Sequence, residues 1–300
     1  MKYIMCQPAI PRFKWELEVC VTRLKKLGIN DIVLLFSRHD ESIPRYFETM
    51  GCEVHVYNDE RKDSDKRYIP SIKPYLWVRY LEEDISREFG DYFYMDCDVL
   101  LREIPEVLPH SNKWYGSNCS SYLGVDYIDS KGDDLLYRMC NIVNIDAQII
   151  RRKNPRAGAQ WVLRNPSLAY WRKVYQDSVD MYVFLSAIEK GYVSRHPEGY
   201  VPIQKWTAEM WAQLWNLYYF DKEAEIHEEL NFCWATDDIA RYKETKIMHN
   251  AGVVDDSKGL FFKGKYVYSE PFMDDLSFVP DNKVSFEYVK AIKEVAESYG

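Results

Sequence analysis

Two aspartates one residue apart, Asp96 and Asp98, interrupt an apolar run that begins at Tyr92 and resumes at Val99. Carboxylates at the end of a buried strand are costly unless a cation or hydrogen-bond donors compensate them. Two short acids at that spacing, at the carboxyl end of a strand, suit a divalent cation that also holds phosphate oxygens. The chemistry this pair suggests is therefore that of a metal-bound phosphate ester or diphosphate.

The elements that must position the pair alternate between strand and helix. Tyr3 to Met5 reads as a first strand, and Glu16 to Lys26 as a helix with Leu17, Val21 and Leu24 at helical spacing and Gly28 to end it. Residues 31–36 form a continuous apolar run, as expected for a strand covered on both faces. A short helix from Pro44 to Met50 precedes a third strand, Glu53 to Tyr57. The spacing of Trp77, Leu81, Ile85 and Phe89 predicts one helix from Pro74 to Phe89, leading into the strand that carries the acids. Repeated β–α units imply an α/β fold, a mostly parallel central sheet with helices on both faces. Ligands of such sheets sit beyond the carboxyl ends of the strands, which selects Gln7, Ser37 and Tyr57 as neighbours of the acid pair.

After residue 102 the pattern loosens. Residues 103–160 read as loop-rich and contain the basic run Arg151, Arg152, Lys153 and Arg156. A helical stretch (167–190), a Trp-rich helix (206–219), a strand ending at His249 and a final amphipathic helix with Phe286, Val289, Ile292 and Ala296 follow. Residues 1–102 and 103–300 are expected to be two halves of one continuous unit, the first binding a nucleotide and the second an acceptor.

Composition narrows the function classes. Hydrophobic residues make up 47% and charged residues 29% of the 300, a globular rather than disordered balance. The formal net charge of −8 argues against a chain-wide footprint for nucleic acid, leaving only a local basic patch. No apolar run approaches the ~18 residues of a membrane span. The amino terminus, MKYIMCQPAIPRF, is broken by Gln7 and two prolines and reads as a strand rather than a signal peptide. Seven widely spaced cysteines without a C-x-x-C pair point to a reducing, cytoplasmic setting.

Three segments, in order, carry a family resemblance. FGDYFYMDCDVLLREIPEVL (89–108) resembles the D-x-D segment of GT-A glycosyltransferases, above all the glycogenin-like and galactosyltransferase-like family 8 enzymes. SIKPYLWVRYL (71–81) resembles the family's helix start whose basic residue contacts the donor, with Lys73 at the matching position. IMHNAGV (247–253) resembles the family's H-x-x-G motif, with His249 and Gly252 matching. The Lys-Pro-Trp that follows in the family is not present, and Lys258, Lys263 and Lys265 are candidates for its lysine. AGAQWVL (157–163) resembles the small-residue strand that borders the donor sugar, which singles out Gln160. Glu209, in the first turn of WTAEMWAQLW (206–215), matches an acidic residue at a comparable helix start, although that position also suits a carboxylate for purely local reasons. Asp237 and Asp238 are further candidates for acceptor hydroxyls.

The resemblance implies a GT-A, Rossmann-like fold and a Mn²⁺ or Mg²⁺ site formed by Asp96, Asp98 and His249. It implies sugar transfer from a nucleotide donor, a UDP-sugar, to a hydroxyl acceptor, with Gln160 and Glu209 on the catalytic side. Donor contacts would come from Gln7, Ser37, Tyr57, Lys73, Asp96 and Lys263. The family leans towards retention; an inverting enzyme would need a carboxylate base, and Glu209 is the natural choice. The acceptor stays open among a glycan, a small molecule and a hydroxylated base in modified DNA, the last through phosphate contacts from Arg151, Arg152, Lys153 and Arg156. A nucleotidyltransferase acting on sugar phosphates is the alternative. It usually needs a glycine-rich phosphate loop where this chain reads QPAIPRF. A binding module that keeps the fold without turnover is a third possibility.

Overall fold

Residues Ile32–Ser37 are buried at all six positions, as a strand covered on both faces must be. The structure, a computed structural model, describes residues 1–299. Among these residues the strands are β1 Lys2–Pro8, β2 Ile32–Ser37, β3 Glu53–Tyr57, β4 Asp91–Tyr94, β5 Val99–Leu101, β6 Lys113–Asn118, β7 Ala157–Arg164, β8 Glu223–Ile226, β9 Phe232–Trp234 and β10 Ile247–His249. Seven form a central sheet in the order β3-β2-β1-β4-β7-β6-β8, and three a second sheet in the order β5-β10-β9. The pairs β1–β2, β2–β3 and β6–β8 are parallel and β6–β7 is antiparallel. The fold is thus α/β with a mostly parallel central sheet, as the alternating pattern implies.

The chain forms two compact units from interleaved segments. The first comprises Met1–Asn58, Phe93–Val107 and the chain from Glu228 onwards; the second comprises Asp59–Tyr92 and Leu108–His227.

In the first unit, the parallel register sets Pro8 opposite Ser37 and Ser37 opposite Tyr57, so the carboxyl ends of three strands finish level. The helix Pro11–Lys26 starts earlier than the apolar spacing suggested, because Pro11 at the first helical position has no N–H to leave unsatisfied and its φ is already helical. It stops at Gly28, whose φ of +81° is open to glycine at no steric cost. Beneath the small sheet lies an apolar cluster including Trp15, Met248, Phe261, Tyr266, Tyr288 and Ile292. Trp15 presents its edge to Phe261, Tyr266 and Tyr288, and its Nε1 donates to the Tyr266 carbonyl at 3.0 Å, so the buried indole leaves no polar atom unmatched.

In the second unit, the helix predicted over 74–89 is two elements. The α-helix spans Ile72–Glu83, and a 3-10 helix spans Ile85–Phe89. Asp84 separates them: its backbone is extended and its side chain accepts from the Ser86 N–H at 2.9 Å. A short acid that bonds its own downstream backbone competes with the helical ladder, and here it wins. Ile85 and Phe89, expected on the buried face, are consequently exposed. The stretch 103–160 is also more ordered than its sequence suggested. It holds β6, the start of β7 and the helices Ser120–Leu123, Val125–Asp129, Leu135–Val143 and Ala147–Lys153. Helices of four to nine residues are too short to show a helical period. The longest helix, Leu168–Arg195, packs against Ile72–Glu83 and against the Trp-rich helix Ala208–Tyr219. No helix of the described residues is long and apolar enough to cross a membrane.

Arg164 at the end of β7 grips Asp91 at the start of β4 through two 2.6 Å bonds, one to each carboxylate oxygen. Those bonds hold the Asp91 carboxyl below its ordinary range.

Two stability measurements follow from this packing. Trp15→Ala is expected to cost about 3–5 kcal/mol in urea unfolding, with Trp15→Phe costing clearly less. Because the Asp91 carboxyl is depressed by folding, its contribution is present above the ordinary carboxylate range and is lost as pH falls through the folded value. Asp91→Asn should therefore melt below wild type at pH 7, and the gap should close on acidification below about pH 4.

Candidate functional site

The acid pair lies on the short turn between β4, which ends at Tyr94, and β5, which begins at Val99. These two strands belong to different sheets. β10 pairs antiparallel with β5 so that His249 stands opposite Val99, and the Asn250 N–H donates to the Asp98 carbonyl at 2.9 Å. That register brings a side chain from 151 positions along the chain, His249, to Asp98: Nε2 lies 3.3 Å from Oδ1. On its other side β10 runs parallel to β9, with His249 opposite Trp234. The Trp234 ring stacks on the imidazole at 5.6 Å and 19°, and Phe232 packs at 5.7 Å, which fixes the ring's plane.

One ligand atom each from Asp96, Asp98 and His249 lies within 4.8 Å of the others. Donors bound to a single hard cation at about 2.1–2.6 Å end up at most about 4–5 Å apart, so this spacing fits one ion. Two carboxylates and one imidazole suit Mn²⁺ or Mg²⁺ better than a thiolate-preferring metal, although imidazole and carboxylate do not single out one ion.

Asp98 is only 5% exposed. Burial alone would push its carboxyl up, but the Lys263 ammonium and His249 more than reverse this and hold it ionised, well below the ordinary range. Lys263 bonds Oδ2, the oxygen opposite the one facing His249. Of the three candidate lysines, Lys263 is thus the one placed on the acid pair, whereas Lys265 is held by Asp256 at 2.9 Å. Burial would lower the Lys263 amine, yet the Asp98 and Glu16 carboxylates outweigh it and raise its affinity for the proton.

Glu16 is a site residue that sequence reasoning missed. It is 1% exposed, on the helix Pro11–Lys26, and accepts from the Cys97 thiol at 3.1 Å and from Arg12 Nε at 3.5 Å. Burial pushes its carboxyl up, Lys263 opposes that, and the charge of Asp98 adds to it. The only clue in the sequence was Arg12 four residues earlier, at the spacing of a helical ion pair.

Gln7, Ser37 and Tyr57 are all buried at the carboxyl ends of β1, β2 and β3. The Ser37 hydroxyl has no hydrogen-bond partner among the described residues. Asp237 and Asp238 serve the local backbone and surface: Asp237 accepts from the Trp234 N–H at 2.9 Å, and Asp238 from Lys283 at 2.6 Å.

In the second unit, Lys73 and Glu209 each occupy the first turn of a helix, and Lys73 Nζ lies 3.1 Å from Glu209 Oε2. The Tyr68 hydroxyl accepts from the Glu209 N–H and donates to the Trp206 carbonyl, both at 2.7 Å. Gln160 is buried in β7, and its Oε1 accepts from Ser117 Oγ on β6 at 2.7 Å, beside the irregularity at Gly116 and Ser117. The basic run is partly engaged. Arg151 binds both oxygens of Asp129 at 2.8 and 3.1 Å, Lys153 binds Glu223 at 2.7 Å, and Arg152 and Arg156 are exposed.

No protein family and no curated protein matches the chain. Among solved structures, the chain is similar to the apo form of the bifunctional glycosyltransferase WbbM, at 9% identity and a TM-score of 0.49. That match covers 99% of this chain and 51% of the other, so the chain spans about half of WbbM's length. It is also similar to the galactosyltransferase LgtC solved with donor and acceptor sugar analogs, at 11% identity and a TM-score of 0.46, and to an active-site mutant of LgtC, at 11% and 0.49. Both of these matches cover 99% of this chain and 96% of the other.

The Lys73–Glu209 pair, whose carboxylate is buried, is open to a double-mutant cycle. Lys73→Met leaves a carboxylate buried without its ammonium and should cost about 3 kcal/mol or more in chemical unfolding. Adding Glu209→Gln should recover most of that loss, giving a coupling energy well above that of an exposed ion pair.

Proposed function

We propose that this chain is a metal-dependent glycosyltransferase that moves a sugar from a nucleotide donor, a UDP-sugar, to a hydroxyl acceptor. The observation that carries this reading is the cluster of Asp96, Asp98 and His249 at the end of a buried strand, with Lys263 on Asp98. Asp96, Asp98 and His249 would hold Mn²⁺ or Mg²⁺. When bound, that ion supplies Lewis-acid neutralisation of the charge that builds on a departing nucleoside diphosphate.

The chain's own groups supply the remainder. Lys263 provides a second positive charge, kept protonated by two buried carboxylates, for the β-phosphate of the leaving group. Gln7, Ser37 and Tyr57 hold the nucleoside end of the donor. The unpartnered Ser37 hydroxyl supports this, since a buried polar group without a protein partner is satisfied when a ligand supplies one. Lys73, Glu209 and Gln160 are the second unit's own candidates for contacts to a sugar. Glu209 is already bound to an ammonium, which makes it a poor base and a good orienting group, and this favours retention over inversion.

The acceptor in this reading is a saccharide or another small hydroxyl compound. Arg151 and Lys153 are tied to Asp129 and Glu223, which leaves the basic run less charge for a nucleic-acid backbone. The seven buried cysteines, none of them in a disulfide among the described residues, fit a reducing compartment such as the cytoplasm.

The test is UDP-sugar turnover, as hydrolysis or transfer, with Mn²⁺ and with EDTA. Chelation, Asp98→Ala and His249→Ala should each lower kcat by about 100-fold or more. Undiminished turnover in both variants would sink the assignment, and release of pyrophosphate instead of UDP would mark a nucleotidyltransferase.

A further inference from the structure

Asn250, the residue after His249, is 2% exposed. Both polar atoms of its carboxamide, Oδ1 and Nδ2, are buried and have no hydrogen-bond partner among the described residues. No other described side chain has two such atoms. The backbone around it is held. The Asn250 N–H donates to the Asp98 carbonyl at 2.9 Å, and the Ala251 N–H donates to the His249 carbonyl at 2.8 Å. The second bond closes a three-residue turn with Asn250 at its centre. A buried donor and a buried acceptor left unmatched both cost stability, a cost that a bound molecule removes when it supplies the partners.

The strand register fixes what stands beside this carboxamide. β10 and β5 are antiparallel, with Met248 opposite Leu100 and His249 opposite Val99. The bond from Asn250 to Asp98 carries the pairing one step further and sets these two residues opposite each other. Residues directly opposite in an antiparallel pair send their side chains to the same face. Met248 and Leu100, two steps back, follow this rule, since both lie in the apolar cluster. Asp98 and Asn250 therefore end that face together, and Asp98 takes the Lys263 ammonium on Oδ2. All of these residues belong to the first unit.

The neighbours select the ligand. A divalent ion at Asp96, Asp98 and His249, together with the Lys263 ammonium, draws an anion to this place. A bare cation would satisfy only Oδ1 and leave Nδ2 unmatched. A diphosphate held with the ion matches both atoms. Its oxygens accept from Nδ2, and water kept by the ion donates to Oδ1.

We infer that Asn250 is a diphosphate-binding residue, with Nδ2 donating to a phosphate oxygen of the metal-bound nucleotide. This deepens the glycosyl-transfer reading and rests on it for the nucleoside diphosphate.

Calorimetry on the full chain tests it, with Mn²⁺ alone, UDP plus Mn²⁺ and UMP plus Mn²⁺, on wild type, Asn250→Leu and Asn250→Ala. Both variants should hold Mn²⁺ within about threefold of wild type, yet bind UDP with Mn²⁺ about tenfold or more weakly, as expected when one hydrogen bond to a charged group is lost. Asn250→Leu, which puts an apolar side chain where the carboxamide was, should melt no lower than wild type without ligand. A loss confined to UDP puts the bond on the β-phosphate, and a loss shared by UMP puts it on the α-phosphate.

The inference is overturned if folded variants bind UDP with Mn²⁺ as wild type does. It is equally overturned if affinity for Mn²⁺ alone falls in step with that for UDP, since Asn250 is then a ligand of the ion. A lower melting point in Asn250→Leu, with UDP binding unchanged in Asn250→Ala, would mean that water within the fold satisfies the carboxamide, and also overturns it. Weakened UDP binding in the variants without any UDP-sugar turnover by wild type would remove the transfer reading and leave Asn250 in its role. Turnover by wild type with unchanged UDP binding in the variants would do the reverse. A wild type that takes up no UDP with Mn²⁺ overturns both.

Discussion

Asp98 is a carboxylate taken almost wholly out of water, and the first unit is organised around offsetting that burial. An unpaired charge in such a place costs several kcal/mol, so the surroundings must return it as attraction and hydrogen bonds. His249 faces one oxygen and Lys263 the other. The backbone carbonyl of the same residue takes the Asn250 N–H. Each of these partners arrives from the last quarter of the chain. The small sheet β5-β10-β9 and the apolar cluster under it are what bring that segment to the acid pair.

The same need to offset charge explains why Lys263 and Glu16 belong together. A lone ammonium pressed against one buried carboxylate would itself be held in place at a cost. With Glu16 contributing a second negative charge from the helix below, Lys263 stays protonated. The Cys97 thiol, between the two aspartates, links that helix to the turn. The turn is thus held from three directions: by the strand before it, by β10 and by Glu16. A site that must keep three ligands within one ion's reach needs this rigidity, because a displacement of an ångström is enough to weaken coordination or catalysis. The second unit repeats the logic at Lys73 and Glu209, where two helix starts present opposite charges and Tyr68 ties the backbone around one of them.

Legibility in the sequence followed the length scale of each feature. The run 31–36 was readable because a strand buried on both faces shows itself residue by residue. The break at Asp84 was not, since the apolar positions 77, 81, 85 and 89 keep an i, i+4 helical spacing while a single side-chain bond to Ser86 decides the geometry. The helices between Ser120 and Lys153 were hidden for the opposite reason, being too short to hold a period at all. Glu16 escaped notice because a carboxylate on an otherwise apolar helix face reads as an imperfection until its partners are known. Trp206 stands in the same Trp-rich run as the buried Trp211 and Trp215, yet it is exposed, because residue type does not distinguish a ring that packs from one that is displayed.

What the sequence determined by itself was the chemistry at hand and the sheet that carries it: an acid pair ending an apolar strand, preceded by repeated β–α units. Those are local properties, set by residue type and short-range spacing. Which imidazole, which lysine and which further carboxylate meet that pair was decided only by tertiary structure. The antiparallel register that sets His249 opposite Val99 is the physical reason. A shift of one residue in that pairing would turn His249 to the opposite face of the sheet, and no local pattern in the chain records that choice.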